Sequence, residues 1–263
     1  MRRALAALAV ALLPAAAGAD LAEVKASGKL RVLYVQSVAA SDDFLDEKSA
    51  DHPGFDRELL EGFAQLHKVK VEYVTIAGWD ELAPALVKGK GDLVAGRYSV
   101  TDGRRKVVAF TSDVFPTRHL VVTRKPTPVV TTMEGLLKER IGTVHGSSMA
   151  ETLAKAGVPA AKVDDSLKPG QQGIALVEAK VTAVVMGVEN AIAEQRQDPA
   201  FQLGMFLGPP SSLAWATRKE DVELLKALDA YLESSRRSGA WNRLVVKYFG
   251  EAAVEVLKKA RAQ

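Results

Sequence analysis

From Leu30 onward, short β-branched and aliphatic runs alternate with stretches of helical periodicity, and this alternation constrains the fold more than any other feature of the chain. The runs LRVLYV, VKVEYV, DLVAG, HLVVTR, RIGTVH, VTAVVM, FQLGMF and SLAWAT have the length and residue type of strands. Between the first two, Phe55, Leu59, Leu60, Phe63 and Leu66 recur at helical spacing after the Pro53–Gly54 break, which predicts a helix over about 56–67. A second helix is expected from Trp79 to Lys88, ended by Gly89 and Gly91. The chain from Glu220 onward is expected to be helical, with Trp241, Leu244, Val245 and Tyr248 on one apolar face and breaks at Gly239 and Gly250. Strands alternating with helices imply an α/β protein built on mixed, mostly parallel sheets.

Two strands run into proline-rich segments, one at Arg124 to Pro128 and one at Gly208 to Ser212. This predicts a middle lobe, residues 124–210, inserted into an outer lobe formed by 20–123 and 211–263, with a cleft between them. The first nineteen residues combine Arg2 and Arg3, an apolar run from Ala4 to Leu13 and small residues at 17–19. That is the pattern of a secretory signal peptide cleaved after Ala19, and the apolar run is about half of the roughly 20 residues a membrane-spanning helix needs. A periplasmic location follows, consistent with a chain that has no cysteine.

The formal charge of +3 comes from 35 Lys+Arg against 32 Asp+Glu, and two of the arginines lie in the signal segment. The basic residues are dispersed rather than interleaved with aromatics, so nucleic acid is not an expected partner. The four histidines, at 52, 67, 119 and 145, lack metal-ligand spacing, and neither a phosphate loop nor a serine nucleophile elbow is present; no cofactor is expected.

The densest chemistry lies in GDLVAGRYSVTDGRRKVVAFT, residues 91–111. A short buried strand breaks at Gly96 and is followed by Arg97, Tyr98, Ser99, Thr101 and Arg104 before the strand pattern resumes. Arginine offers a planar pair of donors that matches a carboxylate and stays charged at any relevant pH, so this turn reads as a carboxylate grip; the alternative is a solvated basic run with Arg105 and Lys106. A second anion-friendly point is Gly146–Ser147–Ser148, where Ser148 followed by Glu151 forms a capping box that opens a helix. Arg97 points either into the cleft or outward at its rim. Trp79 is either a wall for a ligand or a core anchor, with packing the commoner role.

The order of these pieces resembles the periplasmic solute-binding proteins of amino-acid uptake systems over nearly all of Leu30 to Gly250. The segments GFDRELLEGFA, WDELAPALVKGKGDLVAG, SVTDGRRKVVAFT, VVTRK, IGTVHGSSMAETL and KYFG carry the likeness. Within that family, GPPSSLAWATRK with KYFG most resembles the binding-protein half of membrane-bound lytic murein transglycosylases, with no counterpart of their catalytic domain expected after Phe249. The resemblance implies a two-lobed type 2 periplasmic binding fold that closes on a small anionic or zwitterionic ligand as a monomer and delivers it to membrane permease subunits of the ABC type. It assigns Arg104 to the ligand's α-carboxylate, with Ser99, Thr101 and the Gly146–Ser148 turn beside it. Asp102 and Gly103 stand where a proline and a glutamate are usual in that family, and Gly103 makes the turn less rigid, so Arg104 is expected to be less preorganised. Gly187 stands where these proteins carry the aspartate that holds the ligand's ammonium, and Thr182 where an earlier aspartate is common. The expectation is therefore a site that keeps its carboxylate half and lacks its ammonium half, with Glu189 two residues on facing either cleft or solvent. Two other functions stay open: a cyclohexadienyl-dehydratase-like enzyme on the same scaffold, and a periplasmic sensor of cell-wall fragments.

Overall fold

The structure is a computed structural model that describes residues 20–38, 43–46, 49–251 and 253. The signal peptide expected over 1–19 lies outside the described residues. No described helix is long and apolar enough to cross a membrane.

The chain forms two five-stranded sheets. In the first, β1 (Lys29–Val35) pairs in parallel with β2 (Lys70–Ile76) and with β3 (Leu93–Val94), and the sheet is completed by β4 (Ala109–Phe110) and β10 (Ala216–Thr217) in the order β2-β1-β3-β10-β4. The second sheet runs β7-β6-β8-β5-β9, from β5 (Phe115–Arg124), β6 (Ile141–Val144), β7 (Val163–Leu167), β8 (Ala183–Gly187) and β9 (Phe201–Leu213). Both sheets are mixed: β5 is antiparallel to its two neighbours, and β10 to its own.

All eight expected strands are present. The one that patterning missed outright is β7, VDDSL, an edge strand whose Asp164, Asp165 and Ser166 are exposed. A strand with only its last side chain buried has no alternation to detect. The prolines misled in the other direction. β9 continues through Pro209 and Pro210 to Leu213, which an edge strand permits because one side of its backbone needs no partner. β5 belongs to the second sheet along its whole length. The crossings therefore fall at 111–115 and 213–215, where Thr111 N–H donates to Trp215 O (2.9 Å) and Val114 N–H to Leu213 O (2.8 Å), not at Arg124 and Gly208.

Under the first sheet, α2 (Phe55–His67), α9 (Val222–Arg237) and α10 (Ala240–Phe249) bury Phe55, Leu59, Leu60, Phe63, Leu224, Leu228, Leu232 and Val245 around Trp215. Each such side chain contributes about 1.5–3 kcal/mol. Leu66, expected on the same stripe, is exposed. The helix after Trp79 is shorter than its pattern, α3 covering Leu82–Val87. Gly239, at φ 72°, turns the chain between α9 and α10 in the left-handed conformation that glycine adopts without penalty. In the second core, Val121, Leu136, Ile141, Leu153 and Val185 pack together.

Candidate functional site

Between the two sheets lies a cavity of about 140 Å³. A single water needs roughly 10–15 Å³ of such space, so about ten non-hydrogen atoms fit. The loop after β3 supplies one wall. Gly96 and Arg97 both take positive φ, 76° and 65°, and Gly96 N–H is tied to Asp56 Oδ2 at 2.8 Å. Positive φ is unusual for arginine and is held here by the structure on either side. The next residues are sewn to the crossing strand: Ala214 N–H donates to Tyr98 O (3.1 Å) and Val100 N–H to Ser212 O (2.9 Å). Thr101 then caps the one-turn helix α4 (Asp102–Arg105), its hydroxyl accepting from Arg104 N–H at 3.3 Å.

That turn brings Arg104 back over its own loop. Its guanidinium carbon lies 4.1 Å from the centre of the Tyr98 ring, Nη1 donates to Ser99 O (2.9 Å) and Nη2 to Gly146 O (3.4 Å). The looseness expected from Gly103 does not arise, because the cap, the aromatic face and two carbonyls fix the side chain. Arg104 has no ion-pair carboxylate among the described residues, and desolvation draws its pKa below the usual arginine range. Of the five guanidinium N–H groups, the two bonds to carbonyls leave donors for a ligand.

The opposing wall is α6 (Ser148–Lys155). Its N-cap is Ser147, not Ser148: Ser147 Oγ accepts from Ala150 N–H (3.2 Å) and donates to Val144 O (2.6 Å). Glu151 pairs with Lys155 rather than returning to the cap. Ser148 is thereby free for the cavity, where its hydroxyl donates to Ser99 Oγ (2.9 Å) and meets His119 Nε2 (3.1 Å). The network assigns the histidine tautomer: Nε2–H donates to Ser148, and Nδ1 accepts from the Thr152 hydroxyl at 2.8 Å. Burial, and then the charge of Arg104, hold the His119 pKa down at about 4, so the ring is neutral.

The third wall is α8 (Val188–Gln197), which follows directly from β8. Glu189 is buried, faces the cavity and accepts a hydrogen bond from Thr117 Oγ1 at 2.6 Å. Burial raises its pKa, opposed by Thr117, its own backbone N–H and Arg97. A Cβ placed on Gly187 would lie 2.0 Å from Glu189 Oε1. The Glu189 carboxylate thus occupies the room that a side chain at 187 would take. Gly187 provides no carboxylate, and of the two directions left open for Glu189 the structure shows the cleft.

Of the residues singled out from sequence, the cavity brings together Trp79, Arg97, Ser99, Arg104, Ser147, Ser148 and Glu189. Arg97 lines the cleft rather than pointing away from it, with Nη1 3.4 Å from Asn190 Oδ1. Trp79 is buried in the core and also lines the cavity. Gly96, Tyr98 and Thr101 do not line it; they shape the loop, back Arg104 and cap its helix. Sequence reasoning missed Thr117 and His119. Their signal was two polar side chains on one face of β5, at positions i and i+2, just before the apolar run Leu120–Val122.

Two α/β sheets of mixed strands, joined by paired crossings and enclosing a cavity with an arginine on one wall and a glutamate on another, define a two-lobed solute-binding fold. The chain belongs to the bacterial extracellular solute-binding proteins, family 3, whose family model matches residues 30–251. A membrane-bound lytic murein transglycosylase F from Stutzerimonas stutzeri (strain A1501) is 28% identical over 250 residues, which are 89% of this chain and 49% of that protein. A probable histidine-binding protein from Campylobacter jejuni subsp. jejuni serotype O:2 is 27% identical over 198 residues, 74% of this chain and 76% of that protein. Among solved structures, an ancestral arginine-binding protein bound to arginine superposes with a TM-score of 0.72 at 27% identity, covering 85% of this chain and 99% of that one. The chain spans about half the length of the transglycosylases it matches.

Proposed function

We propose that this protein is a periplasmic solute-binding component that closes over a small carboxylate-bearing ligand and delivers it to an ABC-type permease without transforming it. The observation that carries this reading is Arg104: a desolvated cation on the cavity wall, held by carbonyl groups and with no carboxylate partner among the described residues. A ligand carboxylate supplies the missing anion, with the Ser99 and Ser148 hydroxyls beside it. Glu189 and Arg97 give the cavity both signs of charge, which favours a zwitterion such as an amino acid over a simple organic acid. The amino-acid binders among its relatives support the same ligand class.

Contacts from both lobes to one ligand favour the closed form by whatever affinity they add there. Calorimetry or thermal shift across amino acids, keto acids, dicarboxylates and muropeptides tests the reading. Silence across that panel, together with an unchanged Arg104→Ala variant, would sink it.

One observation favours a second reading. Glu189 is a buried carboxyl with a raised pKa in the cleft, the property a general acid needs in a dehydratase-like reaction. Release of phenylpyruvate from prephenate, abolished by Glu189→Gln, would replace the binding-protein reading with this one.

A further inference from the structure

Among the described histidines only His119 is buried, and it lines the cavity. It stands in a chain of four polar side chains, Thr152, His119, Ser148 and Ser99, that links β5 and α6 to the loop carrying Arg104. The contacts are 2.8 Å at Nδ1, 3.1 Å at Nε2 and 2.9 Å between the two serine hydroxyls. The carbonyl of Ser99, at the end of this chain, accepts from Arg104 Nη1 at 2.9 Å.

A neutral imidazole donates at one nitrogen and accepts at the other, so the protons of such a chain all run one way. Run from Thr152, they end on Ser99, which lines the cavity and whose own hydroxyl proton has no acceptor among the described residues. Run the opposite way, they leave the Thr152 hydroxyl proton without a partner beside the buried ring and turn a Ser99 lone pair to the cavity. A polar group left unpaired away from water costs its desolvation, whereas a proton at the cavity is open to a ligand. The Ser148 hydroxyl has one other neighbour, Met149 Sδ at 3.5 Å, but a thioether is a weak acceptor and Ser99 Oγ is nearer.

We propose that His119, its tautomer set by Thr152, is a positioning residue for the bound ligand: acting through Ser148, it turns the Ser99 hydroxyl so that a proton rather than a lone pair meets the ligand beside Arg104. This rests on the binding-protein reading above, which supplies a ligand with an acceptor at that point. His119 needs no contact with the ligand to do this. Ser148 gives its proton to Ser99 and is a link in the chain, not a second donor.

The test joins nitrogen NMR of the imidazole rings to calorimetric titration of the full chain with L-arginine, L-glutamine and L-histidine at neutral pH. The variants are His119→Met, His119→Gln, Ser99→Ala and the His119→Met/Ser99→Ala double substitution. Methionine fills a similar volume without the donor, whereas the glutamine amide both donates and accepts. The expected spectrum places the ring proton of His119 on Nε2. The tightest probe should lose about 3- to 10-fold in His119→Met, recover most of it in His119→Gln, and lose less than about twofold more when His119→Met is added to Ser99→Ala. A packing defect would weaken binding equally with and without the Ser99 hydroxyl. Thr152→Val leaves the ring in place but frees Nδ1; taken through the same cycle it should give a loss of about 2- to 5-fold of the same kind, which serves if His119→Met does not fold. A ring proton on Nδ1, or a loss that is the same in both Ser99 backgrounds, overturns the proposal. Binding that Arg104→Ala removes but His119→Met and Thr152→Val leave unchanged overturns the positioning role alone. If none of the probes binds the parent, the binding-protein reading fails for amino acids and this role falls with it.

Discussion

Lowering the pH should destabilise this fold through His119 more than through any other histidine. An unfolded histidine titrates near 6.5, and His119 in the folded chain is held at about 4 by burial, with Arg104 adding repulsion. Between those values the unfolded chain binds the proton and the folded chain does not, so stability rises with pH across the window. The contribution is fully present above about pH 6.5 and is lost as pH falls towards 4. The gap is worth roughly 3 kcal/mol, and for a chain of this size about 2–4 °C of Tm accompanies each kcal/mol, or some 6–12 °C in all. The assay is thermal or urea unfolding from pH 7.5 to 4 on the parent and on His119→Gln, whose amide is neutral throughout. Carboxylates titrate in both proteins, so the difference between the two slopes isolates the imidazole. NMR of the ring protons should give a midpoint near 4 for His119. A midpoint near 6.5, or a His119→Gln variant with the parent's pH slope, would refute a buried, neutral imidazole bridging Ser148 and Thr152.

Three further outcomes are expected. Arg104→Ala should weaken the ligand by about 2–5 kcal/mol, some 30-fold to several thousand-fold, and Arg104→Lys should recover only part because it keeps the charge but loses the fork; isothermal titration reads both. Glu189→Gln should raise the Tm of the ligand-free protein at neutral pH, because a carboxyl whose folded pKa is raised weakens the fold as pH climbs through that value. The same variant should lose affinity for amine-bearing ligands, so a Tm that falls at neutral pH with binding intact would count against this role. Arg218→Met should cost about 3–5 kcal/mol in urea unfolding, since it strands Asp221, buried and 2.8 Å from the guanidinium, and releases the Leu86 and Gly91 carbonyls that Nη1 holds.

What the sequence determined by itself is local: strand runs, helix stripes, and the association of Ser99, Thr101 and Arg104 in one turn are set by residues a few positions apart. The alternation of strands and helices likewise fixed the α/β class. Tertiary structure decided what depends on distant partners. Proline marked an edge strand rather than a crossing, because whether a missing N–H matters depends on which neighbours the strand has in the sheet. The cap of α6 fell on Ser147 because Val144 O receives its hydroxyl, and that shift freed Ser148 for a partner 49 residues away. His119 was one of several polar residues in its strand until β5 was placed between β8 and β9 with α6 against it. Gly187 suggested a missing charge. Only the fold shows that the volume beside it is filled by Glu189, because a carboxylate is located by where its side chain ends rather than by where its residue stands in the chain.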